Sequence, residues 1–141
     1  MEPESMVHAL EKIHSLLKPG GHLIDIHPNG EPVEFIYLTG GQEHFIGYMQ
    51  ETDDYIEYRQ ADEALETVAT KGLFQAEKTG EFEFRTYADS FDELKSFLDE
   101  NWSDAVITEA LIASARKLED EYGIRKVFLR EKTKIELLKP L

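Results

Sequence analysis

Apolar residues near the start of the chain recur at the spacing of a helix. Residues three or four positions apart form one apolar face, namely Met6, Leu10, Ile13 and Leu17. The run Lys18-Pro19-Gly20-Gly21 ends this helix, because proline cannot continue it and glycine accepts a left-handed turn. The run from His22 to His27 then predicts a strand, which Pro28-Asn29-Gly30 ends.

A pair of strand-like runs follows this first strand. The runs from Val33 to Leu38 and from His44 to Met49 enclose the segment Thr39-Gly40-Gly41-Gln42. Because two glycines permit the positive φ angles of a tight turn, this arrangement predicts a β-hairpin.

The rest of the chain predicts helices and strands in alternation. Ser90, followed three positions later by Glu93, is a capping-box pattern and marks the start of a helix. The strand that precedes it alternates at Phe82, Phe84 and Thr86, which is typical of a half-buried strand. The predicted elements are a helix at 61–71, a strand at 74–87, helices at 91–102 and 104–122, and a final strand at 124–138.

Charge and composition narrow the functions that the chain can have. The 141 residues include 15 basic and 29 acidic ones, a net charge of −14, so the surface repels phosphate backbones and anionic lipids. Cysteine is absent, which excludes disulfides and thiolate metal sites. No apolar run is long enough to span a bilayer, and the acidic start does not resemble a signal peptide. We therefore expect a cytoplasmic protein with no nucleic-acid or membrane partner.

The first helix, turn and strand resemble one part of the class I S-adenosylmethionine-dependent methyltransferases. In that family a helix ends in a Leu-x-Pro-Gly-Gly turn, here Leu17 to Gly21, and leads into the fifth strand of a seven-stranded sheet. The segment Thr70-Lys71-Gly72-Leu73-Phe74 resembles the family's entry to the sixth strand. The final strand, Lys126 to Leu138, would be the antiparallel seventh.

This resemblance implies a fold and a domain organisation. It implies an α/β fold, namely a partial Rossmann-like methyltransferase fold with a small mixed β-sheet, flanking helices and an extra β-hairpin. Residues 1–141 would form a single domain that resembles the C-terminal half of the family. It also implies that 22–27 lies next to 126–138, with 82–87 beyond that strand.

The family's cofactor-binding features are missing from this sequence. No Gly-x-Gly loop follows a first strand, and the glycine pairs Gly20-Gly21 and Gly40-Gly41 both have turn explanations. We therefore expect a truncated, methyltransferase-like domain that does not methylate by itself and has no cofactor-binding residues. S-adenosylmethionine would be the cofactor of the complete family only. The alternative is a non-catalytic binding module that pairs with itself or a full-length methyltransferase, or holds a small apolar ligand.

Three residues are candidates for a remnant substrate pocket. His27 and Asn29 lie at the end of the strand that faces the substrate in the resembled family, although a polar loop start is the favoured explanation for them. Tyr37 could line an apolar pocket, but an aromatic residue in a hairpin is commonly part of the core. No catalytic residue is predicted. No metal site is predicted either, because Asp25 and His27 share a strand face that His22 does not share.

The predicted first strand also suggests a partner. In the resembled family this strand is interior, whereas here Leu23-Ile24-Asp25-Ile26 would lack a neighbour on one side. Unpaired backbone groups on an apolar strand promote association. We expect a homodimer that joins the open edges or packs the first helices together. In the competing arrangement, the hairpin at 33–49 folds back and covers the edge within one chain.

Overall fold

The chain forms four helices and seven strands within the part that the structure, a computed structural model, describes, which is residues 2–52 and 55–141. The elements occur in the order α1 (Pro3–Leu16), β1 (Leu23–Pro28), β2 (Glu34–Thr39), β3 (Gln42–Tyr48), β4 (Gln50–Glu51), α2 (Ile56–Thr70), β5 (Phe74–Ala88), α3 (Phe91–Asn101), β6 (Ala105–Val106), α4 (Glu109–Tyr122) and β7 (Val127–Pro140). The predicted combination of a small sheet, flanking helices and a β-hairpin is confirmed.

Two compact units make up the chain. The first unit comprises Met1–Gly30, Ile56–Phe82 and Lys132–Leu141, and the second comprises Glu31–Tyr55 and Glu83–Glu131. The long strands β5 and β7 each contribute one part to each unit. The expectation of a single domain over residues 1–141 stays a prediction.

In the first unit, α1 and α2 pack against each other and against one face of the sheet. The core contains residues from α2, β5 and β7, with further apolar residues of α1 and β1 packed against it: Leu65, Val68, Phe74, Leu138, Val7, Leu10, Leu17 and Leu23. Burial of each large apolar side chain contributes about 1.5–3 kcal/mol to the stability of the folded state. Pro3 occupies the first turn of α1, where its missing N–H costs nothing.

Strand β7 lies between β1 and β5 in this unit. β1 pairs with β7 in antiparallel register, from Leu23 opposite Leu138 to Pro28 opposite Thr133. β5 also pairs with β7, and the N–H of Leu141 donates to the carbonyl oxygen of Leu73 at 2.9 Å. A Cβ atom on Gly80 would lie 3.6 Å from the Ile135 side chain. β1 and β5 therefore occupy the two opposite edges of β7.

The second unit is built on the β2–β3 hairpin and the first residues of β7. β2 pairs antiparallel with β3 on one side and with β7 on the other. Tyr37 therefore lies opposite His44 of β3 and opposite Val127 of β7. Helix α4 packs on the hairpin, and a Cβ atom at Gly47 would lie 2.5 Å from Cδ1 of Leu111. Glycine at position 47 therefore permits the close approach of α4 to β3.

Helix α3 begins at the predicted capping motif. The Ser90 hydroxyl oxygen accepts a hydrogen bond from the N–H of Glu93 at 3.1 Å, as expected for an N-cap serine. The carboxylate of Glu93 accepts the N–H of Asp89 at 2.9 Å, one residue before the N-cap that the motif predicted. Phe91, Leu94 and Leu98 are buried on one face of this helix.

The predicted strand neighbours are confirmed, and the predicted sheet type is wrong. β7 pairs with β1 and with β5, as expected for residues 22–27, 126–138 and 82–87. The sheet is antiparallel where a mixed sheet was predicted, since every described register is antiparallel. A mixed sheet needs parallel neighbours, whereas β1 and β2 each pair with β7, which runs in the opposite direction to both.

Two element boundaries and two short strands also differ from the prediction. Helix α2 starts at Ile56 instead of Ala61, and α4 starts at Glu109 with Thr108 as its N-cap instead of Asp104. The residues before α4 form β6, which pairs with β4.

Strand β2 of the hairpin pairs with β7, and within the described residues no strand of the hairpin pairs with β1. The competing arrangement, in which the hairpin supplies the missing neighbour of β1, is therefore wrong.

Candidate functional site

The last residues of β1 place His27 on the face of the sheet that carries the helices. Its side chain is almost buried, and both of its ring nitrogens meet carboxylates. Nδ1 lies 2.5 Å from Oδ2 of Asp25, two residues earlier on the same strand face. Nε2 lies 2.8 Å from Oδ1 of Asp62, which helix α2 contributes.

This arrangement favours the charged form of His27. Ionised carboxylates only accept hydrogen bonds, so the two contacts together stabilise the ring with a proton on each nitrogen, the imidazolium. The hydrogen bond to Asp25 is the largest cause that raises the pKa of His27 above its ordinary value, and Asp62 raises the pKa further. Burial acts in the opposite direction and is outweighed.

Lys134 extends the arrangement to a third element. It lies opposite His27 in the register of β1 and β7, and its Nζ atom donates to Oδ1 of Asp62 at 3.2 Å. Charges therefore alternate in the order Asp25, His27, Asp62 and Lys134, a set that we call the His27 cluster. It connects β1, α2 and β7 within the first unit.

The His27 cluster is suited to holding elements together and poorly suited to proton transfer. A general base needs a free lone pair, and both ring nitrogens of His27 are occupied by hydrogen bonds to carboxylates. Among residues 2–52 and 55–141, no group of three or more histidine or acidic side chains is placed to hold a metal ion. The chemistry available to the cluster is therefore electrostatic.

Open pockets lie beside the helices of the first unit, and two of them involve both α1 and α2. The smaller one holds about 190 Å³ and has apolar walls with a single carboxylate, being lined by Met6, Ala9, Leu10, Asp25, Ala61, Ala64 and Leu65. The larger one holds about 430 Å³ along α1 and α2, and the ion pair between Glu11 and Lys71 stands among its lining residues. The smaller pocket falls below the usual size of a ligand site.

The predicted pocket residues do not share one unit. Asn29, half-buried, follows His27 in the first unit, and its backbone N–H donates to the carbonyl oxygen of Lys132 at 2.9 Å. Tyr37 is fully buried in the second unit, where its hydroxyl donates to the carbonyl oxygen of Gly123. Its ring lies 6.1 Å from that of His44, so Tyr37 is a core residue of the second unit.

Asp62 and Lys134 of the His27 cluster could not be predicted from the sequence. Asp62 lies 35 positions after His27, and it adjoins the apolar stripe of α2 as an ordinary polar residue. Lys134 belongs to a strand with many charges. Only the register of β1 against β7 and the packing of α2 bring the three residues together.

The outer edge of β1 is a second feature of interest. The N–H of Asn29 points to β7, so the backbone groups of Asp25 and His27 point there as well, and those of Ile24 and Ile26 point away. Within the described residues, β7 is the only strand that pairs with β1. The side chains of Ile24 and Ile26 are 59% and 56% exposed on the sheet face opposite the helices.

No protein-family model, no curated protein and no solved structure matches this chain. The methyltransferase resemblance therefore stays a prediction. Of the helices formed by residues 2–52 and 55–141, none has both the length and the apolar character that a membrane span requires.

Proposed function

We propose that the chain is a non-catalytic, methyltransferase-like interaction module that accepts a strand from a partner at the edge of β1. The observation that carries this proposal is the outward row of backbone groups at Ile24 and Ile26, together with their exposed side chains. A strand added there would satisfy these groups and cover apolar surface in the same step.

The geometry of the His27 cluster supports the non-catalytic part of the proposal. The most deeply buried histidine of the first unit is held between two carboxylates, and the sequence has no glycine-rich loop for a cofactor. We therefore expect no measurable binding of S-adenosylmethionine, because too few contacts remain to offset the cost of immobilising the ligand. Calorimetric titration of the purified chain measures this, and micromolar binding would contradict the proposal.

A photo-crosslinking amino acid at position 26 tests the interaction part. The same amino acid at Lys78, an exposed residue of β5, is the matched control. Illumination of the purified chain and of cells that express it should give adducts from position 26 and none from position 78. Equal adducts from both positions, or none from position 26, would refute strand addition at β1. An adduct with a full-length methyltransferase would identify that enzyme as the partner.

A further inference from the structure

We propose that the strand accepted by β1 is the β1 strand of a second copy of this chain, paired antiparallel about a two-fold axis at Ile26. This inference rests on the proposed function, because it names the partner of the same edge. About a two-fold axis, the outer edge of β1 in each copy both donates and accepts backbone hydrogen bonds. The same strand can therefore satisfy these groups in both copies.

The backbone of β1 permits this register. Ile24, Ile26 and Pro28 direct their backbone groups outward, in the opposite direction to Asp25 and His27. With Ile26 opposite Ile26 of the second copy, these two residues exchange two hydrogen bonds. The N–H of each Ile24 donates to the carbonyl oxygen of Pro28 in the other copy, which adds two more. Pro28 has no N–H, and in this register only its carbonyl oxygen takes part in a hydrogen bond.

Electrostatics selects this register over its neighbour. With Ile26 on the axis, Asp25 lies opposite His27 of the second copy, twice, on the side that carries the helices. A shift by two residues would place Asp25 opposite Asp25, and like charges directly opposite destabilise a pair of strands. His27 already carries its charge between two carboxylates, so it offers a cation at the position that a facing carboxylate requires.

The apolar face favours the same arrangement. Ile26 would meet Ile26, and Ile24 would meet Pro28, which covers the two most exposed apolar side chains of β1. Helix α1 has no fully buried residue, so part of its apolar stripe also remains accessible to solvent. The net charge of −14 opposes association, and added salt should therefore strengthen the dimer by screening this repulsion.

Light scattering on a size-exclusion peak tests for the dimer. At micromolar concentration the chain should have twice the mass of 16.2 kDa. Ile26→Lys should weaken the dimer by roughly tenfold or more, because it places two like charges on the axis. Phe82→Lys on β5 is the matched control, since Phe82 is also exposed. It should leave the mass unchanged, and circular dichroism should show both variants folded.

A single cysteine tests the register, because the chain contains none of its own. Opposite residues of a hydrogen-bonded pair lie about 5.5 Å apart at Cα, within the range of a disulfide. Ile26→Cys should therefore form a covalent dimer on mild oxidation, and Ile24→Cys alone should not. Covalent dimers formed only when Ile24→Cys and Ile26→Cys chains are mixed would contradict this register.

The outcomes separate this inference from the proposed function. A mass of 16.2 kDa at all concentrations, with adducts from position 26 to a different protein, would overturn the inference and leave the proposed function standing. A mass of 16.2 kDa with no adduct from position 26 would overturn both. A dimer that Ile26→Lys and Phe82→Lys weaken equally would also overturn the inference.

Discussion

The two edges of β7 in the first unit carry strands of opposite character. β1 is short, and its outward-facing residues Ile24 and Ile26 are apolar and exposed. β5 is long and exposed along most of its length, with Glu77, Lys78 and Glu81 in its first half. Both strands pair with the same neighbour, so the difference lies in their side chains and not in the topology.

This difference shows which edge is available for pairing. Charged side chains along an edge strand oppose the approach of another strand, because they must be desolvated or brought near like charges. β1 has charges only at Asp25 and His27, which are opposite in sign and hydrogen-bonded to each other. We therefore expect association at β1 and none at β5.

The largest effect on stability should come from the buried end of β5. Phe74 is 2% exposed and belongs to the core, whereas Phe82 on the same strand is 41% exposed. Phe74→Ala should reduce the free energy of unfolding by about 3–5 kcal/mol, through lost burial and the cavity that remains. Phe82→Ala should change it by about 0.5 kcal/mol or less. Urea denaturation measures both, and equal losses would show that the two ends of β5 do not differ in packing.

The next largest effect should come from the His27 cluster. Asp62→Ala leaves Nε2 of His27 and Nζ of Lys134 without their shared acceptor. We expect a loss of about 1–3 kcal/mol in the free energy of unfolding, reduced from the value for a fully buried pair because Asp62 is partly exposed. Glu66→Ala, at an exposed position of the same helix, is the control and should have little effect. A neutral Asp62→Ala would show that the cluster does not hold α2 to the sheet.

A smaller effect should appear as a dependence of stability on pH. The pKa of His27 is raised, chiefly by the hydrogen bond to Asp25, so the folded state binds this proton more tightly than the unfolded state. The stabilisation is complete below the unfolded pKa of about 6.5 and is lost as the pH rises through the folded pKa. Denaturation between about pH 6 and pH 9 should show decreasing stability for the parent chain. His27→Gln should lose most of this slope, and a parent chain without the slope would contradict the assignment.

The smallest effect should come from the exposed ion pair of the helices. Lys71 donates to Glu11 at 2.7 Å, and both side chains are well exposed. Because solvent and salt screen such pairs, Lys71→Ala should leave the unfolding midpoint within experimental error. A shift as large as that of Asp62→Ala would remove the contrast between a partly buried cluster and a surface pair.

The local elements could be predicted from the sequence, because their signals are local. Pro3, the Pro19-Gly20-Gly21 turn and the Ser90 cap define helix ends through short-range sterics and hydrogen bonds. The strand neighbours followed from the family resemblance. The strands β4 and β6 were not predicted, because two residues carry no periodicity.

The candidate site was predicted only in part. His27 was identified from its position after a strand, but its carboxylate partner Asp62 depends on how α2 packs on the sheet. Tyr37 was expected near a pocket, and the hairpin register places it in the core of the second unit. The exposure of Ile24 and Ile26 agrees with the predicted open edge, and sequence alone could not exclude that the hairpin covered it.

Hydrogen exchange at two backbone amides tests the central claim most directly. The N–H groups of Ile24 and Ile26 point away from β7, so their exchange with deuterium should be fast at low protein concentration and slow at high concentration. The exposed part of β5 around Lys78 should show no such dependence. Exchange at Ile24 and Ile26 that stays fast at all concentrations, or that slows equally along β5, would contradict the account.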